Sequence, residues 1–500
     1  MEAYDVEKSV AESEATFQGI VELVKNSALG WQAHEAERHI FFQLLMLGLA
    51  LLKVYFAKRG TGDVGPAIKR PDEALLVREK SPRECHYFSI FGKVRVPRTC
   101  YRREGHPGVF PLDEQVNLPE GCHSYFLQEW MTVFEVERPY KESSNLFQQL
   151  FGAKVCESVL INVAKQAHQD LDPFYEQRPV PPTAHPEHFL AVGFDGKGVP
   201  MIKEEAAKLK AKLGKGEKRQ KTKEALVGVC YDVAPKSRTA EELAEYLVNP
   251  EEWKKKREES GVDDDSPKAK NIRRIASLVK TKEQVMDTIK ADAERRDPEH
   301  KRHLVILLDG ALGLWRLAST KFKEWKSISL VLDIIHVLSY LWIAANALFP
   351  ENSFEGRQWV QEKLTEILRG KVGYVIGSLK LILAKRRLSK AKRAAIGKVI
   401  KYFKNHRRWM KYDLYLTAGL PVGTGVVESA CGSVIKNRME GTGKRWGIPG
   451  AEAILALRSL KKSHDDDLQE YWKFRARKEH ERLYGELKNY RPSPVLRLVA

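Results

Sequence analysis

The first sixty positions carry apolar residues at helical spacing, and this pattern ends at Gly60 and Gly62. Apolar side chains three and four residues apart lie on one face of a helix. Residues 1–60 are therefore predicted to be helical and to serve in helix packing or dimerisation. The pattern then changes to short alternating segments punctuated by Pro and Gly, such as YFSIFGKVRVPRTCYRR. This change predicts a small β-rich region over residues 61–130, with a hairpin in it.

Two short amphipathic helices are predicted on either side of Phe151–Lys154, where Gly152 would allow a tight turn. This outline is that of a helix-turn-helix, whose second helix can enter the major groove of DNA. An ordinary helical hairpin gives the same outline and is the alternative interpretation. Pro179, Pro181, Pro182 and Pro186 mark a linker, so we assign residues 131–185 to the helix-turn-helix candidate and its linker.

Apolar strands and helices alternate beyond this linker. Such alternation predicts an α/β sheet whose polar site lies at the strand ends. We expect the sheet domain to comprise residues 186–342 and 412–465, a helical block at 343–411 to interrupt it, and a helical tail to follow at 466–500. A long helical stretch to about Arg296 should separate the second strand from the third. The four strand candidates are HFLAVGFDGKGVPMI, ALVGVCYDVAP, HLVILLDG and ISLVLD. The first should end or bend at Asp195 and continue toward Ile202, and it could form a hairpin with the second.

Basic residues are in excess along the chain. Lys and Arg total 84 against 66 Asp and Glu, a net charge of +18, which suits a polyanionic partner such as nucleic acid. The segment from Lys385 to Lys411 has twelve Lys or Arg and no acidic residue, which favours a phosphate-binding surface over a merely solvated one. We expect DNA contacts from Lys385, Arg386, Arg387, Lys392, Arg393, Arg407, Arg408, Lys436, Arg438, Lys444 and Arg445.

Membrane insertion and secretion are not expected from the sequence. The most apolar run, Ile40–Leu52, is too short for a bilayer span. The first residues are acidic and lack a basic start followed by an apolar stretch. Six cysteines occur without a C-x-x-C pair, which is typical of free thiols in a reducing compartment. We therefore expect a cytoplasmic protein.

Three acidic residues stand apart along the chain: Asp195 and Asp309 at strand ends, and Glu428 near the start of a helix after the glycine-containing loop GLPVGTG. Like charges about 4 Å apart repel by roughly 1 to 4 kcal/mol, so three converging carboxylates call for a cation. Two cations can stabilise the attacking and leaving oxygens of a phosphoryl transfer. Mg²⁺ suits such a site because it accepts one or two carboxylates and keeps positions for water and phosphate, and Mn²⁺ can replace it.

Several of these segments carry a family resemblance that covers most of the chain. The chain resembles bacterial insertion-sequence transposases of the DDE class, specifically the ISKra type, which is similar to Mutator-like transposases. The block from Gly423 to Gly447 is the most specific part of the resemblance. The segments that carry it are VGFDGKGVPM, HLVILLDG, VLDIIHVLSYLW and YFKNHRRWMKYDLYLTAGLPVGTGVVESACGSVIKNRMEGTGKRWGIPGAEAILALR.

The resemblance implies an RNase H-like catalytic domain interrupted by a helical insertion, with Asp195, Asp309 and Glu428 as the metal-binding DDE triad. It also implies that Asp333 and His336 form a supporting D-x-x-H element. Because Asp333 also ends a strand, it is the alternative to Asp309 as second metal ligand, and Asp309 is favoured.

The implied activity is Mg²⁺-dependent cleavage of the element's ends and joining of the 3′-hydroxyl to target DNA. The partners would be double-stranded DNA, at the element ends and the target, and further copies of the chain in a homodimer or larger assembly. The protein would work at the bacterial nucleoid. Two alternatives are a structure-specific nuclease that joins no strands and a DNA-binding derivative without catalysis.

Overall fold

The computed structural model describes residues 5–183, 185–209, 221–260, 267–441, 443–464 and 466–493. The chain is a mixed α/β protein that divides into two compact units. The first unit comprises residues 1–177 and 466–500, and the second comprises residues 178–465. The three predicted N-terminal regions, up to Gln177, and the C-terminal tail therefore belong to one unit, while residues 178–185 of the predicted linker belong to the other. Residues 494–500 of the predicted helical tail lie outside the described residues.

The first unit begins with the expected helices, α1 (Val6–Ser27) and α2 (Ala33–Arg59), which pack against each other. The Asp5 side chain caps α1 by accepting from the backbone N–H of Glu7. Gly60, with φ of 71°, ends α2 in a conformation that glycine adopts without strain. Among the described residues, α2 is the one helix whose length and composition suffice to cross a membrane, and little of it is buried. The apolar run judged too short by itself thus lies within a longer helix.

Five short strands follow in the region expected to be β-rich. They are β1 (Ala67–Lys69), β2 (Leu75–Arg78), β3 (Arg83–Ser89), β4 (Gly92–Arg98) and β5 (Tyr101–Arg102). Strands β3 and β4 form the predicted antiparallel hairpin. Strands β1, β2 and β5 form a sheet with a C-terminal strand, Arg491–Ser493. Phe56 of α2 is buried with Val94 and Val96 of β4, so the end of α2 is anchored on the hairpin.

Helices complete the first unit. Gly152, with φ of 66°, ends α5 in the left-handed conformation, so the tight turn expected between two helices is present. Whether this pair binds DNA stays a prediction. The helices are α3 (Pro111–Gln115), α4 (Tyr125–Glu135), α5 (Tyr140–Phe151), α6 (Glu157–Ala167), α7 (Leu171–Gln177) and a C-terminal helix, Asp467–Tyr484.

A five-stranded sheet forms the centre of the second unit. The first three strands are an antiparallel meander, and the last two run parallel to the first. The spatial order is β10-β9-β6-β7-β8, where the strands are β6 (Phe189–Pro200), β7 (Thr222–Val233), β8 (Lys270–Ser277), β9 (Leu304–Leu308) and β10 (Ile328–Leu332).

The structure decides one expectation about this sheet and corrects another. The first strand, expected to end or bend at Asp195 and to continue toward Ile202, runs through Asp195 as β6, because the antiparallel partner β7 pairs with it from Phe189 to Pro200. Only the parallel neighbour β9 stops beside Phe194. The stretch expected to be helical up to Arg296 contains a strand, β8, with the sequence KNIRRIAS. Its charged residues interrupt the apolar pattern, although its last residues are buried.

The helices of the second unit surround this sheet and form the block after β10. The expected boundary between residues 342 and 343 falls inside a helix, α13 (Ile334–Leu348), that begins directly after β10. The helical block therefore has no break from the sheet at this boundary. The helices are α8 (Lys203–Lys208), α9 (Ala240–Val248), α10 (Pro250–Ser260), α11 (Lys282–Arg296), α12 (Leu312–Lys321), α13 (Ile334–Leu348), α14 (Phe354–Leu368), α15 (Val372–Lys385), α16 (Lys390–His406), α17 (Tyr412–Thr417), α18 (Gly425–Ala430), α19 (Asn437–Met439) and α20 (Ile448–Lys461), with a π-helical turn at Cys431–Lys436.

Candidate active site

Asp195 and Asp309 occupy adjacent positions on neighbouring parallel strands. The last paired residues of β6 and β9 are Phe194 and Leu308, and each Asp follows one of them. Neighbouring strands lie about 4.8 Å apart, so the two backbones bring the two carboxylates to the same edge of the parallel sheet. Both side chains are half-buried. Residues 114 positions apart in sequence are thus neighbours in the fold.

The Asp195 carboxylate is held by two hydrogen bonds. Its Oδ1 accepts from the backbone N–H of Gly196 at 2.6 Å, and its Oδ2 accepts from the Cys431 thiol at 3.2 Å. Burial raises the pKa of the Asp195 carboxyl, the hydrogen bonds lower it, and the nearby negative charge of Asp309 raises it again, for a net rise. His336 also lowers the Asp195 pKa, but less than the other causes. Two carboxylates held this close together favour the binding of positive charge.

Asp309 begins the loop after β9, and this loop is anchored by α16. The Tyr402 hydroxyl donates to the backbone oxygen of Asp309 at 2.9 Å, and Nε2 of His406 lies 2.7 Å from the oxygen of Gly310. Gly310 has φ of 108°, and a Cβ there would lie 2.7 Å from the Tyr402 hydroxyl. The loop thus needs glycine at this position. Helix α16, the basic helix, therefore packs directly against the loop that begins at Asp309.

Glu428 lies on α18, which approaches β6 very closely. A Cβ at Gly193 would lie 2.3 Å from Cγ2 of Val427, so the absence of a side chain on β6 admits this helix. The Glu428 side chain is exposed. Glu428 and Cys431 are three residues apart on the helical path and share a face, and Cys431 contacts Asp195. Glu428 therefore lies on a helical segment that contacts Asp195 through Cys431.

The segment immediately after α18 is a π-helical turn, Cys431–Lys436. Single π-turns inside α-helices occur frequently at functional sites. Burial raises the pKa of the Cys431 thiol, and the negative charge of Asp195 raises it further. The sulfur therefore keeps its proton and serves as the hydrogen-bond donor to Asp195.

Asp333 has a different environment from the other carboxylates. It is 1% exposed, and it caps α13 by accepting from the backbone N–H of Ile335. Its Oδ1 also accepts from the backbone N–H of Thr424 at 3.0 Å, and its Oδ2 accepts from the Thr424 hydroxyl at 2.5 Å. His336, with 42% of its side chain exposed, has Nε2 4.0 Å from Asp333 Oδ2. Asp333, the first residue of the D-x-x-H element, thus fixes the loop before Glu428 through Thr424.

The basic residues predicted to contact DNA fall into two groups. All twelve Lys and Arg side chains between Lys385 and Lys411 are exposed, as are Lys436 and Arg445, while Lys444 is half-buried and donates to the backbone oxygen of Arg438. Arg438 is 2% exposed and lies over the Trp446 ring at 4.7 Å. Packing therefore keeps the Arg438 guanidinium away from solvent in this structure, and its contact with DNA stays a prediction.

A cavity of about 870 Å³ opens beside Glu428. Its lining combines aromatic side chains, Tyr246 and Trp253, with basic ones, and the Arg257 guanidinium lies 4.8 Å from the centre of the Trp253 ring. Such a combination of stacking surface and positive charge is typical of sites that receive nucleic acid. The cavity therefore extends the polar region around Glu428 within the second unit.

The residues at this edge suit a hard divalent cation. Across the described residues, no three His, Cys, Asp or Glu side chains are grouped closely enough to hold a metal ion as placed. The donors that the fold brings near each other are nevertheless carboxylate oxygens, which Mg²⁺ prefers. Asp195 and Asp309 are already within electrostatic reach of each other. The donor chemistry thus fits the expected ion.

Several residues that shape the site were missed in the sequence. Cys431 stands three positions after Glu428, and this helical spacing could have indicated a shared face. Tyr402 and His406 are four residues apart within the basic helix, but nothing in their spacing distinguishes them from core residues. Thr424 gave no signal, since its partner Asp333 lies 91 residues away.

No protein-family model matches this chain, and no curated protein is detectably similar to it. A functional proposal therefore depends on Asp195 and Asp309 beside the last paired residues of β6 and β9, on the exposed cations of α16 and on the sequence motifs.

Proposed function

We propose that this protein is a DNA transposase of the DDE class, which cleaves the ends of an insertion sequence and joins the freed 3′-hydroxyl to target DNA. The observation that carries the proposal is the juxtaposition of Asp195 and Asp309 at one sheet edge, with the Glu428 helix touching Asp195 through Cys431. The sequence motifs Gly423–Gly447 and HLVILLDG point to the same class.

We also propose that the second unit is RNase H-like. The sheet supports this, because an antiparallel three-stranded meander is followed by two strands parallel to the first, which are placed on the meander's open side. The candidate carboxylates lie where this topology exposes the ends of its parallel strands. The insertion, residues 343–411, would contain the end of α13 and helices α14, α15 and α16.

Asp195, Asp309 and Glu428 would hold the Mg²⁺ ions. When bound, these ions would supply positive charge to the attacking and leaving oxygens of the phosphodiester. The protein's own part is positioning. Tyr402 and His406 fix the backbone of the Asp309 loop, Cys431 orients Asp195, and Asp333 fixes the loop before Glu428 through Thr424.

The basic helix supplies the phosphate contacts in this proposal. Because Tyr402 and His406 attach α16 to the Asp309 loop, the exposed cations on the same helix lie on the element that borders the carboxylates. Replacing Lys392, Arg393 and Lys398 by Gln should lower the slope of log affinity against log salt by about 0.9 for each phosphate that the variant no longer neutralises. The matched control replaces Lys301, Lys321 and Lys473 by Gln, since each of these lysines is paired with a Glu and lies outside α16 and the cavity lining. An unchanged slope would exclude α16 from the interface.

The test of the proposed activity uses the full chain with its own flanking DNA. A fragment carrying the gene and both flanks, incubated with Mg²⁺ and a target plasmid, should be cut at two fixed ends and joined to the plasmid. Cutting without joining would identify a nuclease, and binding without cutting would identify a DNA-binding protein. Asp309→Asn should abolish both steps, while Asp413→Asn, at an exposed position of α17, should not.

A further inference from the structure

Helix α13 places two polar side chains on the face that borders the candidate carboxylates. His336 and Tyr340 are four residues apart, so they lie one turn apart on this face. Nε2 of His336 is 4.0 Å from Asp333 Oδ2, and His336 is one of the groups that act on the pKa of Asp195, which burial raises. Burial raises the pKa of the Tyr340 phenol, and the negative charge of Asp309 raises it further. The phenol therefore lies within electrostatic reach of the Asp309 carboxylate.

The ring of Tyr340 is held in place by side chains of α16. It stacks on the ring of Tyr402, with centroids 3.7 Å apart and planes at 7° to each other. Nζ of Lys398 lies 5.7 Å from the centre of the Tyr340 ring. Lys398 and Tyr402 are four residues apart and share one face of α16. A ring whose orientation is fixed by packing loses little conformational entropy when its hydroxyl binds a ligand.

The two stacked tyrosines use their hydroxyls differently. The Tyr402 hydroxyl donates to the backbone oxygen of Asp309 at 2.9 Å, so it is part of the scaffold that fixes this loop. Among the described residues, no group forms a hydrogen bond with the Tyr340 hydroxyl, and the Tyr340 side chain is half-buried. A phenol can donate one hydrogen bond. Tyr340 therefore has a spare donor close to the Asp309 loop.

The groups around this hydroxyl indicate the kind of acceptor that it suits. A phenol donor beside a lysine ammonium suits an anionic oxygen, because hydrogen bonds to ionised acceptors are the stronger ones. Most hydrogen bonds between proteins and DNA go to phosphate and sugar oxygens, and lysine and tyrosine are among the side chains that donate them. A base edge offers no negative charge to the Lys398 ammonium. The acceptor that uses both groups is therefore a phosphate of the DNA backbone.

The place of Tyr340 in the fold indicates which phosphate it meets. Tyr402 stacks on Tyr340 and donates to the backbone of Asp309, so the spare donor and the candidate metal ligand belong to one packed group. Successive phosphates of one DNA strand are about 3.4 Å apart along the helix axis. A phosphate bound by Tyr340 therefore lies within a few nucleotides of the bond that the carboxylates and their ions would act on.

We propose that Tyr340 is a substrate-binding residue of this site. Its hydroxyl donates to a non-bridging oxygen of a phosphate that flanks the bond to be cleaved, and Lys398 supplies positive charge to the same phosphate. The contact fixes the DNA strand relative to the ions that the carboxylates would hold. The inference rests on the proposed function, which supplies the strand and the cleaved bond, and the experiment below separates the failure of one from the failure of the other.

The test compares Tyr340→Phe with Tyr374→Phe in single-turnover cleavage of the end-bearing DNA by the full chain with Mg²⁺. Loss of a donor to a charged oxygen should slow cleavage about 10- to 100-fold. The melting temperature should equal that of the wild type, because the hydroxyl has no partner to lose, and a lower one would count against the proposal. Tyr374 on α15 is the matched control, since Nζ of Lys363 lies 5.6 Å from its ring centre. Tyr374→Phe should cleave like the wild type.

A second comparison identifies the acceptor. Neutral methylphosphonates are placed one at a time near the cleaved bond, and at one position the wild-type protein should be slowed about 10- to 100-fold. At that position Tyr340→Phe should lose nothing further, because donor and acceptor belong to one hydrogen bond. Two results would overturn the proposal: a wild-type rate for Tyr340→Phe, and losses that add at every methylphosphonate position.

Failure of the proposed function gives a different result. If the wild-type protein binds the DNA without cutting it, dissociation constants from fluorescence anisotropy replace the rates for the same proteins and DNAs. A loss of affinity for Tyr340→Phe that disappears at one methylphosphonate position would then support the contact and refute the catalysis. Equal dissociation constants for Tyr340→Phe and the wild type would refute the contact. A wild-type protein that binds no DNA would refute both proposals.

Discussion

Asp309 and Asp333 each follow an apolar strand of the same parallel pair, yet the protein treats them differently. Asp309 is half-buried and its Oδ1 accepts from the backbone N–H of Ala311. Asp333 is buried, and Ile335 and Thr424 together donate three hydrogen bonds to it. A carboxylate whose oxygens are all engaged is part of the scaffold, while one with spare lone pairs beside a second carboxylate is available for a ligand.

This difference gives physical support to Asp309 over Asp333 as the second metal ligand. To bind an ion, Asp333 would have to release the Thr424 hydroxyl and backbone N–H, both in a buried setting where an unpaired polar group costs free energy. Asp309 would release only a local turn contact. The assignment of Asp309 remains a proposal, and the variants below are designed to break it.

The largest expected effect is on catalysis. If Asp309 is the second metal ligand, Asp309→Asn should lower DNA cleavage at least about 100- to 1000-fold, because it removes a negative charge from the site of charge development. Its melting temperature should stay close to that of the wild type, since Oδ1 can still accept from Ala311. The measurement is single-turnover cleavage of the end-bearing DNA, with calorimetry on the same sample. If the Asp309→Asn protein still cleaves DNA, Asp333 and not Asp309 would be the candidate for the second metal ligand.

The next effect is on stability. Asp333→Ala should lower the free energy of unfolding by about 3 kcal/mol, since it removes a helix cap and leaves the buried Thr424 N–H unpaired. Urea denaturation gives this value, and Asp309→Ala is the control, expected to lose less than about 1 kcal/mol at a solvated position. Equal losses for the two alanine variants would show that Asp333 contributes no more to stability than Asp309 does.

A smaller effect should come from the partner of Asp333. Thr424→Val keeps the side-chain volume but removes the hydroxyl donor to Oδ2, so we expect a loss of about 1 to 2 kcal/mol. In the double variant with Asp333→Ala the two losses should fall short of additive, because each substitution breaks the same contact. Full additivity in the urea experiment would show that Thr424 acts on stability by another route.

The sheet was the most predictable part of the fold. LVILL and ISLVL are short continuous apolar runs, and both are strands of a parallel pair. Strand β8 was missed because its charged residues, among them Arg273 and Arg274, interrupt the apolar pattern. The continuation of β6 beyond Asp195 followed from the sequence pattern, and the antiparallel pairing with β7 confirms it.

The candidate site was only partly predictable. The strand-end position of Asp309 and the helix of Glu428 follow from local pattern. In the sequence Asp309 and Asp333 look alike, since each ends an apolar strand. What separates them is the loop containing Thr424, brought to Asp333 by the tertiary fold. Likewise, the burial of Arg438 under packing with Trp446 could not be read from its place in a basic run.

The smallest expected effect is a pH dependence of stability that involves Asp195. The pKa of this carboxyl is raised in the folded protein, first by burial and also by the charge of Asp309. Above the ordinary value of 3.8, the folded state therefore holds more protons than the unfolded state, and the contribution of Asp195 to stability falls as pH rises through its folded pKa. At neutral pH the ionised carboxylate is destabilising.

Asp195→Asn should therefore be as stable as the wild type below pH 3.8 and more stable near pH 7, with the gap opening as pH rises between the two. Urea midpoints at a series of pH values measure this gap. The same stability difference, measured between two proteins that both carry Asp309→Asn, should be smaller. The reason is that Asp309→Asn removes a negative charge that raises the Asp195 pKa. Asp333→Asn, on the scaffold side of the comparison, should not change the gap. A gap that is constant with pH would mean that Asp195 does not bear the repulsion from which its role at the site was inferred.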